Sequence, residues 1–258
     1  MIKRILFTSL IVLFSGALLG CYFYFVGQLA HRGRQQARCR QVRVVLLDSL
    51  ETALVDKQEV KDFLTKKTFN QLTDSIDLHT LEQALRSRGE VMSAEVFTAD
   101  DRTVTACLTQ RKPVIRLDKG KDRWYAGPEG YLFPVRNVAD VPVVTGAIPI
   151  AMEPSYKGLA PRENQAWMSG MVDLARYIDS KPVLRSELSQ IDIDSDGDIV
   201  LYTRSAGPAI IFGDSGDYEN KFHKLEAWWR YIEPQVEEGK TYKTINLKYN
   251  QQIICKQL

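Results

Sequence analysis

Gln41-Val-Arg-Val-Val-Leu-Leu47, followed by Asp56-Lys-Gln-Glu59, decides how the soluble body of this chain is read. The first run is β-branched and apolar and predicts a strand. In the second, Asp56 can accept a free backbone N–H while Glu59 reaches back, a capping box at a helix start. Val60, Phe63 and Leu64 supply one face of that short helix. Asp77 can cap a second helix, in which Leu78, Leu81, Ala84 and Leu85 recur at 3–4 spacing. Arg86, Arg88 and the stop residue Gly89 complete its C-terminal end. Met92–Phe97 and Arg102–Thr109 then read as strands joined at Ala99-Asp100-Asp101. The predicted order is β-α-α-β-β.

Arg111-Lys112-Pro113-Val114-Ile115-Arg116-Leu117 opens a second, mostly β unit. Pro113 cannot donate to a ladder and marks an edge or a strand start. Turn residues recur from Gly120 to Gly213. Two helices interrupt. One covers roughly Arg162–Ile178, with Met171, Leu174, Ala175 and Ile178 inward; the other covers about Glu219–Ile232, with Phe222, Leu225, Trp229 and Ile232 on its stripe. Thr244–Tyr249 (TINLKY) predicts a strand, Asn250-Gln251 a turn, and Ile253–Lys256 a final strand.

Ahead of this body, Ile5–Val26 is a long apolar run with no charge and no proline, preceded by Lys3 and Arg4. About 22 residues at ~1.5 Å each reach roughly 33 Å, enough for a hydrocarbon core of ~30 Å. A cleaved signal has a shorter apolar region and a small-x-small cleavage site. Leu18-Leu19-Gly20-Cys21 has some likeness to a lipobox, but bulky Tyr22, Phe23, Tyr24 and Phe25 follow it. The run therefore predicts one uncleaved membrane helix (residues 5–26), with a short tail (1–4) and a basic juxtamembrane arm (27–40). Its flanking arginines, Arg32 to Arg43, taken alone place the body on the cytoplasmic side.

Charge excludes some functions. The chain holds 34 Lys+Arg and 32 Asp+Glu. Lys3 and Arg4 are the only charges before residue 27, and five arginines lie in 32–43, so residues 44–258 hold 27 bases against 32 acids. The basic arm suits anionic headgroups, or is a solvated linker. Nothing beyond it argues for nucleic acid. Cys21, Cys39, Cys107 and Cys255 form no CxxC pair and no zinc spacing.

Asp192-Ile-Asp194-Ser-Asp196-Gly197-Asp198 begins like a calcium loop, but Thr203 stands where a bidentate Glu is needed. The flanks alternate like hairpin strands, so the run reads as a turn. His31, His79 and His223 have no metal spacing, and no nucleophile elbow, phosphate loop or dinucleotide fingerprint occurs. No catalytic residue, metal, cofactor or small-molecule substrate is expected. Trp228 and Trp229 are neighbours and cannot both face inward. Trp229 continues the stripe, which leaves Trp228 as flanking core or as an exposed partner contact.

Several local passages resemble the FtsQ/DivIB bacterial cell-division family. Gln110-Arg111-Lys112-Pro113-Val114 is similar to the junction between its POTRA module and its β domain. Trp124 with Glu129-Gly130-Tyr131-Leu132-Phe133 resembles its aromatic hairpin, and Val141–Gly146 its "LPxLxG" stretch. Ile210–Gly213 before Lys221–Leu225 resembles "VxLG…K…L", and Ile245–Tyr249 its late "(V/I)DxRY" strand. Pro128, Lys248 in place of Arg, and the short tail depart from the pattern; an ammonium lacks the planar fork for bidentate pairing.

The resemblance implies an α+β architecture: one transmembrane helix, a βααββ POTRA-like module (41–112), and a mostly antiparallel β domain with two helices (113–258). It also implies a body outside the plasma membrane at the division site, against the arginine count, and a non-catalytic scaffold for FtsB/FtsL-type bitopic partners. By the same resemblance Lys248 and Tyr249 are contact residues. Ile253 and Ile254 are added from the residues themselves, because a terminal strand offers free N–H and C=O groups, and Trp228 because Trp is enriched in interface hot spots. Two other classes compete. A POTRA-bearing chaperone of outer-membrane assembly needs a following barrel of many strands, for which the remaining length is too short. A membrane-tethered enzyme or lipoprotein is the third.

Overall fold

The computed structural model describes residues 15–27, 37–48, 52–100, 102–205, 207–236, 242–250 and 252–257. Residues 15–27 are helical and exposed along their length (α1). Among the described residues no helix is long and apolar enough to cross a membrane. The first part of the expected span, residues 5–14, and most of the basic arm, residues 28–36, lie outside the described residues. Beyond α1 the chain divides into two compact units: one runs to Asp48 and resumes over Asp56–Thr109, and the other comprises Ser49–Val55 and Gln110–Leu258.

The first unit follows the expected order: β1 (Gln41–Leu46), α2 (Lys57–Thr68), α3 (Leu78–Arg86), β2 (Val91–Asp100) and β3 (Thr103–Gln110). The sheet order is β1-β3-β2, with β1 parallel to β3. A parallel pair needs a long crossover, and the helix pair supplies it. Asp56 caps α2 by accepting the Gln58 and Glu59 N–H groups, and Asp77 caps α3 by accepting that of Thr80. Val104, Ala106 and Leu108 on β3 are fully buried, as are Val60 and Leu64 of α2 and Leu85 of α3. Arg88 does more than complement a helix end: its guanidinium pairs with Glu59 of α2 at 2.9 Å and lies over the Phe63 ring.

The second unit contains β4 (Ile115–Lys119), β5 (Asp122–Ala126), β6 (Tyr131–Pro134), β7 (Val143–Gly146) and β8 (Gly158–Leu159). There follow α4 (Gln165–Ser180), α5 (Pro182–Glu187), β9 (Leu188–Ile193), β10 (Ile199–Thr203), β11 (Ala209–Gly213), α6 (Tyr218–Ala227), β12 (Tyr242–Asn246) and β13 (Ile254–Gln257). These strands form one mixed sheet in the order β13-β12-β11-β10-β9-β7-β4-β5-β6-β8. Three neighbouring pairs, β4–β7, β7–β9 and β11–β12, are parallel. The other pairs are antiparallel.

Alternate strand residues, among them Leu117, Val144, Ile191, Leu201, Phe212 and Ile245, pack with Met171, Leu174, Phe222, Leu225 and Trp228 into one core. Tyr177 of α4 stacks on Phe222 of α6, with ring centroids 5.4 Å apart. A smaller cluster on Tyr125 and Phe133 is covered by Leu54, and the Leu54 and Val55 N–H groups both donate to Gln110 Oε1 at 2.8 Å. The run Asp192–Asp198 is the expected hairpin turn: Ile199 pairs with Ile193, and the Asp194 carboxylate accepts the Asp196 and Asp198 N–H groups. At Gly146 (φ +85°) a Cβ would fall 2.2 Å from the Ile193 carbonyl oxygen, so β7 can end only on glycine there.

Three expectations change. A short third helix, α5, occurs in this unit, started by Pro182 at a first helical position where no N–H is needed. The last helix is α-helical only to Ala227; Trp228–Ile232 is wound as a π-helix. Trp228 continues the Phe222–Leu225 stripe at spacing three, and the wider turn carries the later residues away from it. Of the two readings left for Trp228 the core one holds, while Trp229 and Ile232 are less buried than the stripe predicts. Trp228 is 1% exposed, Trp229 is half-buried and Ile232 is 40% exposed. Finally, β12 stops at Asn246, so Lys248 and Tyr249 are in a loop rather than on the strand.

Candidate functional site

Beyond β12 the chain is fixed by its own polar groups. The Leu247 N–H still donates to the Ile211 carbonyl of β11, and the Leu247 side chain is fully buried. The Asn246 side chain then accepts the Lys248 N–H at 2.9 Å, which turns the backbone out of the ladder. From α6, Lys224 Nζ donates to the carbonyls of Leu247 at 2.9 Å and of Tyr249 at 2.7 Å. Burial, with Lys221 close by, pushes the Lys224 ammonium below its usual pKa.

The Lys248 side chain runs back across β11. Its stem lies against Gly213 (φ +82°), where a Cβ would come within 2.8 Å of Lys248 Cγ. Its ammonium pairs with the Asp198 carboxylate in the β9–β10 turn. The hydrogen bond to Asp198, aided by the charges of Asp198 and Asp194, holds the Lys248 pKa above its usual value. Beside it, Lys221 Nζ donates to the Asp214 carbonyl and carboxylate at 2.9 and 2.8 Å, which depresses the Asp214 pKa. The same ammonium lies 5.0 Å from the Phe212 ring centroid.

After this loop β13 pairs antiparallel with β12, Ile254 opposite Asn246 and Lys256 opposite Thr244. It is the terminal strand of the sheet, with no strand on its far side among the described residues. Tyr249 is 49% and Ile254 44% exposed. Ile253 precedes the strand and is half-buried against the core, as is Cys255, whose thiol burial pushes up. Cys39, Cys107 and Cys255 are all free thiols.

Of the residues singled out from the sequence, Lys248, Tyr249, Ile253 and Ile254 thus fall on one end of the sheet. Trp228 does not join them on the surface. It lies beneath, its ring edge-on to Tyr242, and has no area to offer a partner. Sequence reasoning read Asp198, Lys224, Asn246 and Gly213 only as parts of a turn or of family-like passages and placed none of them at the site. Asp198 was hidden in an Asp/Gly run that has a sufficient explanation as a turn.

Residues 112–256 match the family model described as FtsQ/DivIB, C-terminal related. This chain belongs to the FtsQ/DivIB family. Residues 37–109 of this FtsQ/DivIB-related chain match a POTRA-like domain, which covers the β-α-α-β-β unit. No curated protein matches the chain. FtsQ/DivIB is a family of cell-division proteins, typically non-enzymatic scaffolds at the division-site membrane. The exposed terminal strand and its pinned loop are therefore features of a cell-division protein's C-terminal domain.

Proposed function

We propose that this protein is a non-catalytic bitopic scaffold of the division machinery. It is anchored by the apolar run Ile5–Val26, and its body captures FtsB/FtsL-type partners outside the plasma membrane. The observation that supports this reading is β13: a terminal strand with an open side among the described residues, begun by exposed Ile254 and preceded by exposed Tyr249. An extended segment of the partner can add a strand there, taking affinity from main-chain hydrogen bonds and selectivity from side chains on alternate positions. Residues 242–257 carry no acidic residue, and Lys243 and Lys256 are exposed there, which favours a partner strand bearing carboxylates.

Tyr249→Glu tests the reading. The substitution places a charge on the exposed rim and touches no core contact, so folding remains intact while co-purification of the FtsB-type partner is lost. Normal recovery of the partner with this variant would sink the proposal.

A further inference from the structure

We infer that Lys248 is a positioning residue: tied to Asp198 across Gly213, it fixes the Lys248–Asn250 loop so that Tyr249 and β13 are held ready for the partner. This rests on the partner-capture reading above, and it departs from the assignment of Lys248 as a direct contact. Three observations meet here. The Lys248 ammonium is engaged within its own chain by the Asp198 carboxylate, whose side chain is 25% exposed. Asp198 is itself set in place, because Asp194 accepts its N–H and its carbonyl accepts that of Asp194. At Gly213 the absence of a side chain lets the Lys248 stem cross β11.

The loop is thereby held from two directions. Lys224 binds the Leu247 and Tyr249 carbonyls from the helix side, and Lys248 ties its own side chain to the hairpin turn. Between those two ties sits Tyr249, whose side chain remains half exposed. A loop that sampled other conformations would present the competent arrangement only part of the time, and apparent affinity falls by that fraction. The Asp/Gly-rich turn, with its calcium-like spacing, thus has a purpose: Asp194 shapes the turn and Asp198 receives the lysine.

The experiment measures partner affinity and hydrogen exchange on the folded body. Asp198→Ala, which removes the tie but no candidate contact, is expected to weaken binding of the extracytoplasmic segment of the FtsB-type partner about three- to fivefold. Exchange at residues 248–254 rises in the free protein, while the urea midpoint stays within error. Lys248→Arg keeps most of the affinity, and Lys248→Asp loses it. Combining Lys248→Asp with Asp198→Lys restores both affinity and exchange protection. If Lys248 instead meets a partner carboxylate, Lys248→Asp repels the partner in either background and the swap restores nothing; that result overturns the inference. So does unchanged exchange in Asp198→Ala. Should Tyr249→Glu also bind normally, the capture reading fails separately, and the exchange data still decide whether the tie exists.

Discussion

At one end of the ten-stranded sheet β8 is only two residues long, and the Tyr156 hydroxyl donates to the Leu159 carbonyl at 2.6 Å. At the other end β13 runs for four residues, with Ile254 exposed and its far side open among the described residues. Both are edges, and an open edge is a standing invitation to pairing, which proteins blunt with short strands and covered backbone. Here one end is blunted and the other is not. The polar ties that organise the loop before β13 serve the open end. The contrast teaches that the sheet closes itself against unwanted pairing on one side while keeping a shaped edge on the other.

The largest expected effect comes from removing the support beneath the open end. Trp228→Ala deletes a fully buried indole under β12 and β13 and costs about 3–5 kcal/mol in urea unfolding of the body. A cost near zero would mean that the core does not hold that edge. Next in size is a comparison of the two edges by proline. Proline at Ile254 or at Cys255 removes either an outward donor or a bond to β12, and partner affinity falls about a hundredfold. Leu159→Pro on β8 leaves affinity unchanged. Equal losses at both ends would break the distinction between them.

The smallest effect is electrostatic. Asp214 has its pKa depressed by the Lys221 hydrogen bond, so its stabilising contribution is complete above the ordinary carboxylate value of about 4 and fades as pH drops through the lower folded value. The Asp214 side chain is largely exposed and screened, so the slope is shallow. Urea midpoints of the wild type and Asp214→Asn should differ at pH 6 and converge towards pH 3. A constant gap across that range would show that the pair adds nothing that depends on ionisation.

Much of this architecture was legible because local signals agreed with each other. Asp56 and Asp77 both cap the helices their positions announced, and the strands flanking Asp194–Asp198 pair in the expected hairpin. What stayed hidden depended on side chains reaching across the fold. Asn246 stops β12 by accepting an N–H two residues on, a choice that β propensity in TINLKY cannot reveal. On the last helix Trp229 and Ile232 fall towards the margin of the stripe because the winding changes at that point. Periodicity assumes a constant turn. The partners of Lys248 and Lys224 lie 50 and 23–25 positions away in the sequence, beyond any motif.

The parallel pairing of β11 with β12 has a further consequence. A parallel neighbour cannot be reached by a tight turn, so the chain between them passes through α6 and the π-wound stretch before returning to the sheet. Lys224, which grips the loop after β12, comes from that same crossover. The open edge therefore rests on the crossover: residues 242–257 follow in the chain the helix and strands they pack against. A body that lacks the α6 crossover also lacks the lysine that grips the loop before β13, so the last helix and the open edge stand or fall together.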